Sequence, residues 1–155
     1  LLKNILEKHV ISKIDKNSTL LLTYGSLNGF SFSDINMNWK HLGFISTNEE
    51  MNLLYRASDF MLSPSIDDIG PTTVQEAFIN SLPVIGFDIG LVSDLINNET
   101  VGKKVTGFNK KIFGNFIIDY LHLSDIININ KRNIDFSIEK EASLFQEVIL
   151  KKIQN

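Results

Sequence analysis

The chain has 155 residues, 43% hydrophobic and 21% charged, which suits one soluble domain with a buried core. A formal net charge of −3, with basic residues no denser than the pairs Lys103-Lys104 and Lys110-Lys111, leaves no footprint for a nucleic acid. The absence of cysteine excludes disulfides and thiolate metal sites and suits a reducing compartment, and no apolar run is long enough to span a bilayer.

Leu1-Leu2-Lys3-Asn4 does not read as a signal peptide, because Lys, Asn, Glu and His interrupt its apolar positions. It reads as the inside of a helix, so the chain is expected to be a piece of a longer protein, located in the cytoplasm. Leu2, Ile5, Leu6, Val10 and Ile14 recur at helical spacing and predict a helix over residues 1–14. The apolar run Thr19–Tyr24, ending at Gly25, predicts a strand buried on both faces. Ser26 to Asn38 is polar and aromatic and reads as loop with room for a short helix. Lys40–Ile45 reads as a second strand, with Gly43 inside it. Thr47 or Asn48 then caps a helix whose first turn carries Glu49 and Glu50, favourable at the positive end of its dipole. Asp59–Leu62 predicts a third strand, closed by Ser63-Pro64-Ser65. A helix follows over about 72–81, then a fourth strand over 83–87. A short helix at 91–96, a strand near Val105, and helices over 110–123 and 137–153 complete the chain. Strands alternating with helices at this spacing predict an α/β, Rossmann-like doubly wound, mostly parallel sheet with helices on both faces. No repeat, linker or second domain interrupts it.

Ligands of such sheets bind beyond the carboxyl ends of the strands. The segment there with the most polar chemistry runs from Ser65 through Ile66-Asp67-Asp68-Ile69-Gly70-Pro71-Thr72-Thr73 to Glu76. Gly70 and Pro71 turn the chain into a helix, with Pro71 near its first position, where a missing N–H is no loss. The free N–H groups of Thr72 and Thr73 then offer a seat for a phosphate. Glu76 stands about one turn further in, where a carboxylate can accept from two adjacent hydroxyls such as a ribose diol. Asp67 and Asp68 sit on the loop before the helix, within reach of the far end of the same ligand. Taken singly, Asp67-Asp68 is a solvated turn and Glu76 a glutamate near a helix start; only their arrangement after a buried strand points to a phosphate-bearing polar ligand. Other polar or aromatic residues add no competing site. His9, His41 and His122 are too scattered to hold a metal, and Ser63 and Ser65 lie in no Gly-x-Ser-x-Gly elbow. Trp39 reads as packing, Phe30 and Phe32 as loop anchors, Tyr55 and Phe60 as core.

A succession of motifs carries a resemblance. A strand ending at Gly25 is followed by His41-Leu42-Gly43-Phe44-Ile45, then Leu54-Tyr55-Arg56-Ala57-Ser58-Asp59, then Ser63-Pro64-Ser65. The Asp67–Glu76 segment and Leu82-Pro83-Val84-Ile85-Gly86-Phe87-Asp88-Ile89-Gly90 complete it. From about Leu20 to Leu123 the chain resembles the C-terminal, donor-binding domain of family 4 retaining glycosyltransferases, which have two facing Rossmann-like domains in the GT-B architecture. That family carries two acidic residues separated by seven others, and counting back from Glu76 gives Asp68. Consecutive acidic residues followed by Pro and Thr resemble a subgroup that makes bacterial surface polysaccharides.

The resemblance implies that Glu76 binds the ribose and that Asp68 or Asp67 contacts the donor sugar as the catalytic acid pair. It implies that Gly70, Pro71, Thr72 and Thr73 sit at the diphosphate and that Gly43, Phe44, Ile45 and Ser46 lie near the base. It further implies a nucleotide-diphosphate sugar as donor, a glycan or lipid-linked acceptor, no metal and no other cofactor. The full-length hexosyltransferase would then work with an N-terminal acceptor domain of the same chain, at the periphery of the inner membrane face; the domain alone is expected to be inactive. Asp68 stands where many members have Glu, Leu91 where the family has a second glycine, and Ser81-Leu82 where Cys-Gly is common. The family's basic clamp on the diphosphate has no counterpart here. A non-catalytic GT-B-like scaffold is therefore the alternative, while a receiver-like signalling domain would want acidic residues where Tyr24-Gly25-Ser26 stands.

Overall fold

From the second strand onward strands and helices alternate, as the hydrophobic pattern requires. The computed structural model describes residues 1–67 and 71–127, with side chains through residue 123. The expected helix over 137–153, and Asp68, Ile69 and Gly70, lie outside the described residues. Helix α1 spans Leu2–Ile5 and continues as a wide π turn, Leu6–Val10, and a tight 3-10 turn, Ile11–Lys13. After it come β1 (Leu20–Thr23), β2 (Asn38–His41), α2 (Asn48–Ala57), β3 (Met61–Ser63), α3 (Thr72–Ile79), β4 (Val84–Phe87), α4 (Gly90–Leu95), β5 (Gly102–Val105) and α5 (Lys110–Ile127).

All three ladders are parallel. β1 pairs with β2, and β4 lies between β3 and β5. Residues of β4 alternate between two apolar layers. Ile85 and Phe87 pack with Ile5, Leu6 and Val10 of the first helical stretch and with Phe113 and Ile117 of α5. Val84 faces the opposite way, among Tyr55, Val74, Ala77, Leu91, Val92 and Leu95 from α2, α3 and α4. Val84, Ile85 and Phe87 are 0% exposed, each burial contributing on the order of 1.5–3 kcal/mol. Helices therefore cover both faces, as an all-parallel sheet demands.

Several local features differ from the sequence expectation: the first strand is not buried on both faces, since none of its residues is fully buried and Leu20 is 54% exposed. The second strand starts at Asn38 rather than Lys40 and ends at His41, in register with the end of β1. Gly43 adopts φ +72, which breaks the extended backbone, so the apolar run leaves the sheet and Phe44 is 86% exposed. Thr47 caps α2, its side chain accepting from the Glu50 N–H. Pro71, by contrast, is the residue before the first turn of α3 rather than its first member.

Among the described residues no strand pairing links β1 to β3, and a cavity of about 580 Å³ separates them. It is lined by β1 and β3 themselves and floored by Leu2, Leu6, Val10 and Ile117. In a parallel strand the backbone groups of successive residues point to alternate sides. Thr23 accepts from Leu42, and Gly25 donates to Gly43, so Leu22 turns its backbone away from β2 and toward the cavity. Met61 donates to Pro83, which turns the backbone groups of Leu62 the same way from the other wall.

Candidate functional site

The carboxyl ends of the strands gather the polar chemistry. β1 delivers Tyr24 and Gly25, β2 the Gly43–Ser46 loop, β3 the segment reaching Asp67, and β4 the Asp88-Ile89-Gly90 turn. The Gly25 N–H donates to the Gly43 carbonyl at 2.7 Å, which folds the Gly43–Ser46 loop against the end of β1. Phe44 and Ser46 are exposed and Ile45 is half-buried.

Helices α2 and α3 start in different ways. In α2 the Thr47 side chain caps the first turn, and Glu49 and Glu50 already complement the dipole. In α3 the capping position is Pro71, which has no side-chain acceptor, and the first turn holds no acid. The Val74 N–H returns to the Pro71 carbonyl, while Thr72 is exposed and Thr73 half-buried. The positive end of α3 is thus left without an acidic side chain of its own. Asp67 is exposed at the near end of the preceding loop.

Glu76 lies one turn into α3 and meets two tyrosines. The Tyr55 hydroxyl, from α2, donates to Glu76 Oε2 at 2.8 Å and lies 3.0 Å from the Tyr24 hydroxyl, at the end of β1. Tyr55 is 3% exposed. Burial pushes its phenol well above the ordinary value, and the hydrogen bonds to Tyr24 and Glu76 and the nearby carboxylate charge add to the shift. Burial also raises Tyr24, against the opposing effect of its bond to Tyr55. Both phenols are therefore neutral near pH 7. Since Tyr55 gives its proton to Glu76, Tyr24 is the donor between the two hydroxyls. Tyr55 reads from sequence as core. Its burial bears that out, but the apolar stripe of α2 carried no signal that its hydroxyl would reach α3.

A second polar cluster closes the turn after β4. Asp88 Oδ2 accepts from Thr106 at 3.3 Å, and Lys104 Nζ stands 3.7 Å from Oδ1. Hydrogen bonding from Ser93, helped by Lys104, holds the Asp88 carboxyl below its ordinary value despite some desolvation. Lys104 also donates to the Ser93 carbonyl, and Lys103 pairs with Glu99 and lies 5.5 Å from the Phe116 ring. The two lysines thus pin the fold on opposite faces of β5. Trp39 packs at 5.8 Å from Phe32 and donates to Thr23, as expected of a structural residue.

Among the described residues, no group of three or more His, Asp or Glu converges in a way that would hold a metal ion. None of their helices is long and apolar enough to cross a membrane. Comparison with individual curated proteins gives no match. The profile of the family described as glycosyl transferases group 1 matches residues 32–133, more than half of the chain and the stretch that holds Tyr55, the Asp67–Glu76 segment and the Asp88 turn. With a parallel Rossmann-like sheet beneath that segment, the chain belongs to the group 1 glycosyl transferases, whose chemistry moves a sugar from a donor to an acceptor.

Proposed function

We propose that this domain binds a nucleotide-diphosphate sugar and serves as the donor half of a retaining hexosyltransferase. The observation that carries the reading is the position of Glu76, one turn beyond a helix start that has no acid of its own. A diphosphate at the N–H groups of Thr72 and Thr73 would complement the α3 dipole. The nucleoside ribose would then lie against Glu76, with the base toward Gly43, Phe44, Ile45 and Ser46. Asp67 and Asp68, on the loop leading to Gly70 and Pro71, would face the sugar as the catalytic acidic pair. In this reading leaving-group charge is stabilised by the helix start and by cationic groups from outside the chain described here, without a metal.

The sheet itself supports a larger enzyme. A parallel strand seated between β1 and β3 would join the two ladders into one sheet, and residues from elsewhere in a longer polypeptide are the proposed source. The acceptor domain would close the other side of the cleft. A glycan or lipid-linked saccharide of a surface polysaccharide is the acceptor class, and the cytoplasmic side of the membrane is the place of work.

The test is donor binding by the full-length protein, measured calorimetrically with UDP, GDP, ADP and their sugar conjugates. Selective binding of one base is expected. Glu76→Gln should weaken it by roughly 10- to 100-fold, the value of a charge-assisted bond. Unchanged affinity in Glu76→Gln would remove the carboxylate from the ribose, and silence toward every nucleotide would favour a non-catalytic scaffold.

A further inference from the structure

The two tyrosines beside Glu76 do more than fill space. Tyr55 has one proton, and its hydroxyl donates it to Glu76 Oε2. No described residue bonds the other carboxylate oxygen, Oε1. Tyr24 comes from the end of β1, whereas Tyr55 and Glu76 belong to the helices packed on the other ladder, so the chain of hydroxyls also ties the two halves of the sheet together. Such a line of donors has one direction, Tyr24 to Tyr55 to Glu76, and each bond polarises the next.

We infer that Tyr55, backed by Tyr24, is a positioning residue that holds Glu76 by Oε2, leaves Oε1 to accept from a ribose hydroxyl, and so sets a preference for ribonucleotides over their deoxy counterparts. The inference rests on the reading of Glu76 as the ribose ligand. A free glutamate rotates among several rotamers, and fixing it beforehand removes an ordering cost from binding. A site arranged to accept from a hydroxyl also rejects a ligand that lacks it. The tyrosines need not touch the ligand for this; they act through the carboxylate.

Tyr55→Phe removes only the hydroxyl and keeps the buried ring, so the fold is expected to survive, which a melting curve checks. The full-length protein is titrated with the nucleoside diphosphate it prefers and with the 2′,3′-dideoxy form of that nucleotide. The wild type should favour the ribonucleotide by about 10-fold or more. In Tyr55→Phe the ratio should fall below about threefold, with dideoxy affinity changed by less than about twofold. Tyr24→Phe, which keeps the bond to Glu76 but removes its support, should give an intermediate ratio. Equal weakening of both ligands in Tyr55→Phe would indicate a merely structural role and overturn the inference, as would an unchanged ratio. Glu76→Gln separates the two levels of failure. If it abolishes the ratio while Tyr55→Phe does not, the relay is wrong and the ribose reading stands. If it leaves the ratio intact, the ribose reading fails and the relay with it.

Discussion

At Tyr55, Tyr24 and Tyr120 burial keeps three phenols neutral, and this ties stability to alkaline pH. Tyr120 is pushed up to about 12, chiefly by burial and secondarily by the negative charge of Glu99, while its hydroxyl donates to the Glu99 carbonyl at 3.0 Å. Tyr55 and Tyr24 are raised as well. A phenol in the unfolded chain titrates at about 10. Below that pH both states hold the proton and the contribution of these residues is complete. Above it the unfolded state releases protons first, so stability falls as pH rises toward and past 12. Melting temperature measured from pH 8 to 11.5 should therefore drop steeply above about pH 10, and Tyr120→Phe should flatten the decline. A flat profile in the wild type would contradict the assigned shifts. None of this was legible in the sequence, where Tyr24 closes an apolar run and Tyr55 sits in an apolar stripe. Their ring burial follows from pattern, but the meeting of their hydroxyls depends on how α2, α3 and β1 converge. Glu76 was legible, because its distance from Pro71 places it one turn into a helix whatever the tertiary packing.

The contact between the first helical stretch and α5 shows how tightly a helix is fixed. A Cβ built on Gly114 would stand 2.5 Å from the Cβ of His9, closer than two such atoms approach. Gly114 thus lets the π turn Leu6–Val10 press against α5, bringing Leu6 and Val10 beside Phe113 and Ile117. Gly114→Ala gains roughly 0.8–1.0 kcal/mol of helix propensity but incurs overpacking of about 1–3 kcal/mol. The expected result is a net destabilisation of up to about 2 kcal/mol by urea unfolding. A stabilised variant would mean that the two helices part without cost. The helical period of residues 1–14 announced a helix, and that expectation holds. Its widening into a π turn was hidden, because it answers to the α5 surface rather than to local propensity. The second strand shows the same limit. Leu42 to Ile45 is apolar enough to read as strand, yet the positive φ of Gly43 and the bond from Gly25 turn it out of the sheet beside the end of β1.

Among the described residues the sheet is parallel and is covered on both faces at β4, as strand–helix alternation implied, but it is parted between β1 and β3. Chain order says which elements are strands. It does not say that two of them, β1 and β3, each keep one side unpaired among the described residues. The amides of Leu22 and Leu62, whose strands turn them toward the cavity, should exchange with deuterium about a thousandfold faster than that of Ile85 in the fully buried β4. In a longer polypeptide that seats a strand there, both should slow by a comparable factor. Protection already equal to that of Ile85 in the 155-residue chain would show that residues of this chain fill the position.

The parting has a mechanical meaning. Ladder bonds make a sheet stiff by coupling each strand to its neighbour, and among the described residues that coupling stops between β1 and β3. Tyr24 rides on one plate, Tyr55 and Glu76 on the other, and a 3.0 Å contact between the two hydroxyls reaches across the seam. Breathing of the two plates would stretch that contact before any other polar link to the carboxylate. If Glu76 holds the ribose as proposed, rigidity at the middle of the sheet would help set how firmly its carboxylate is aimed.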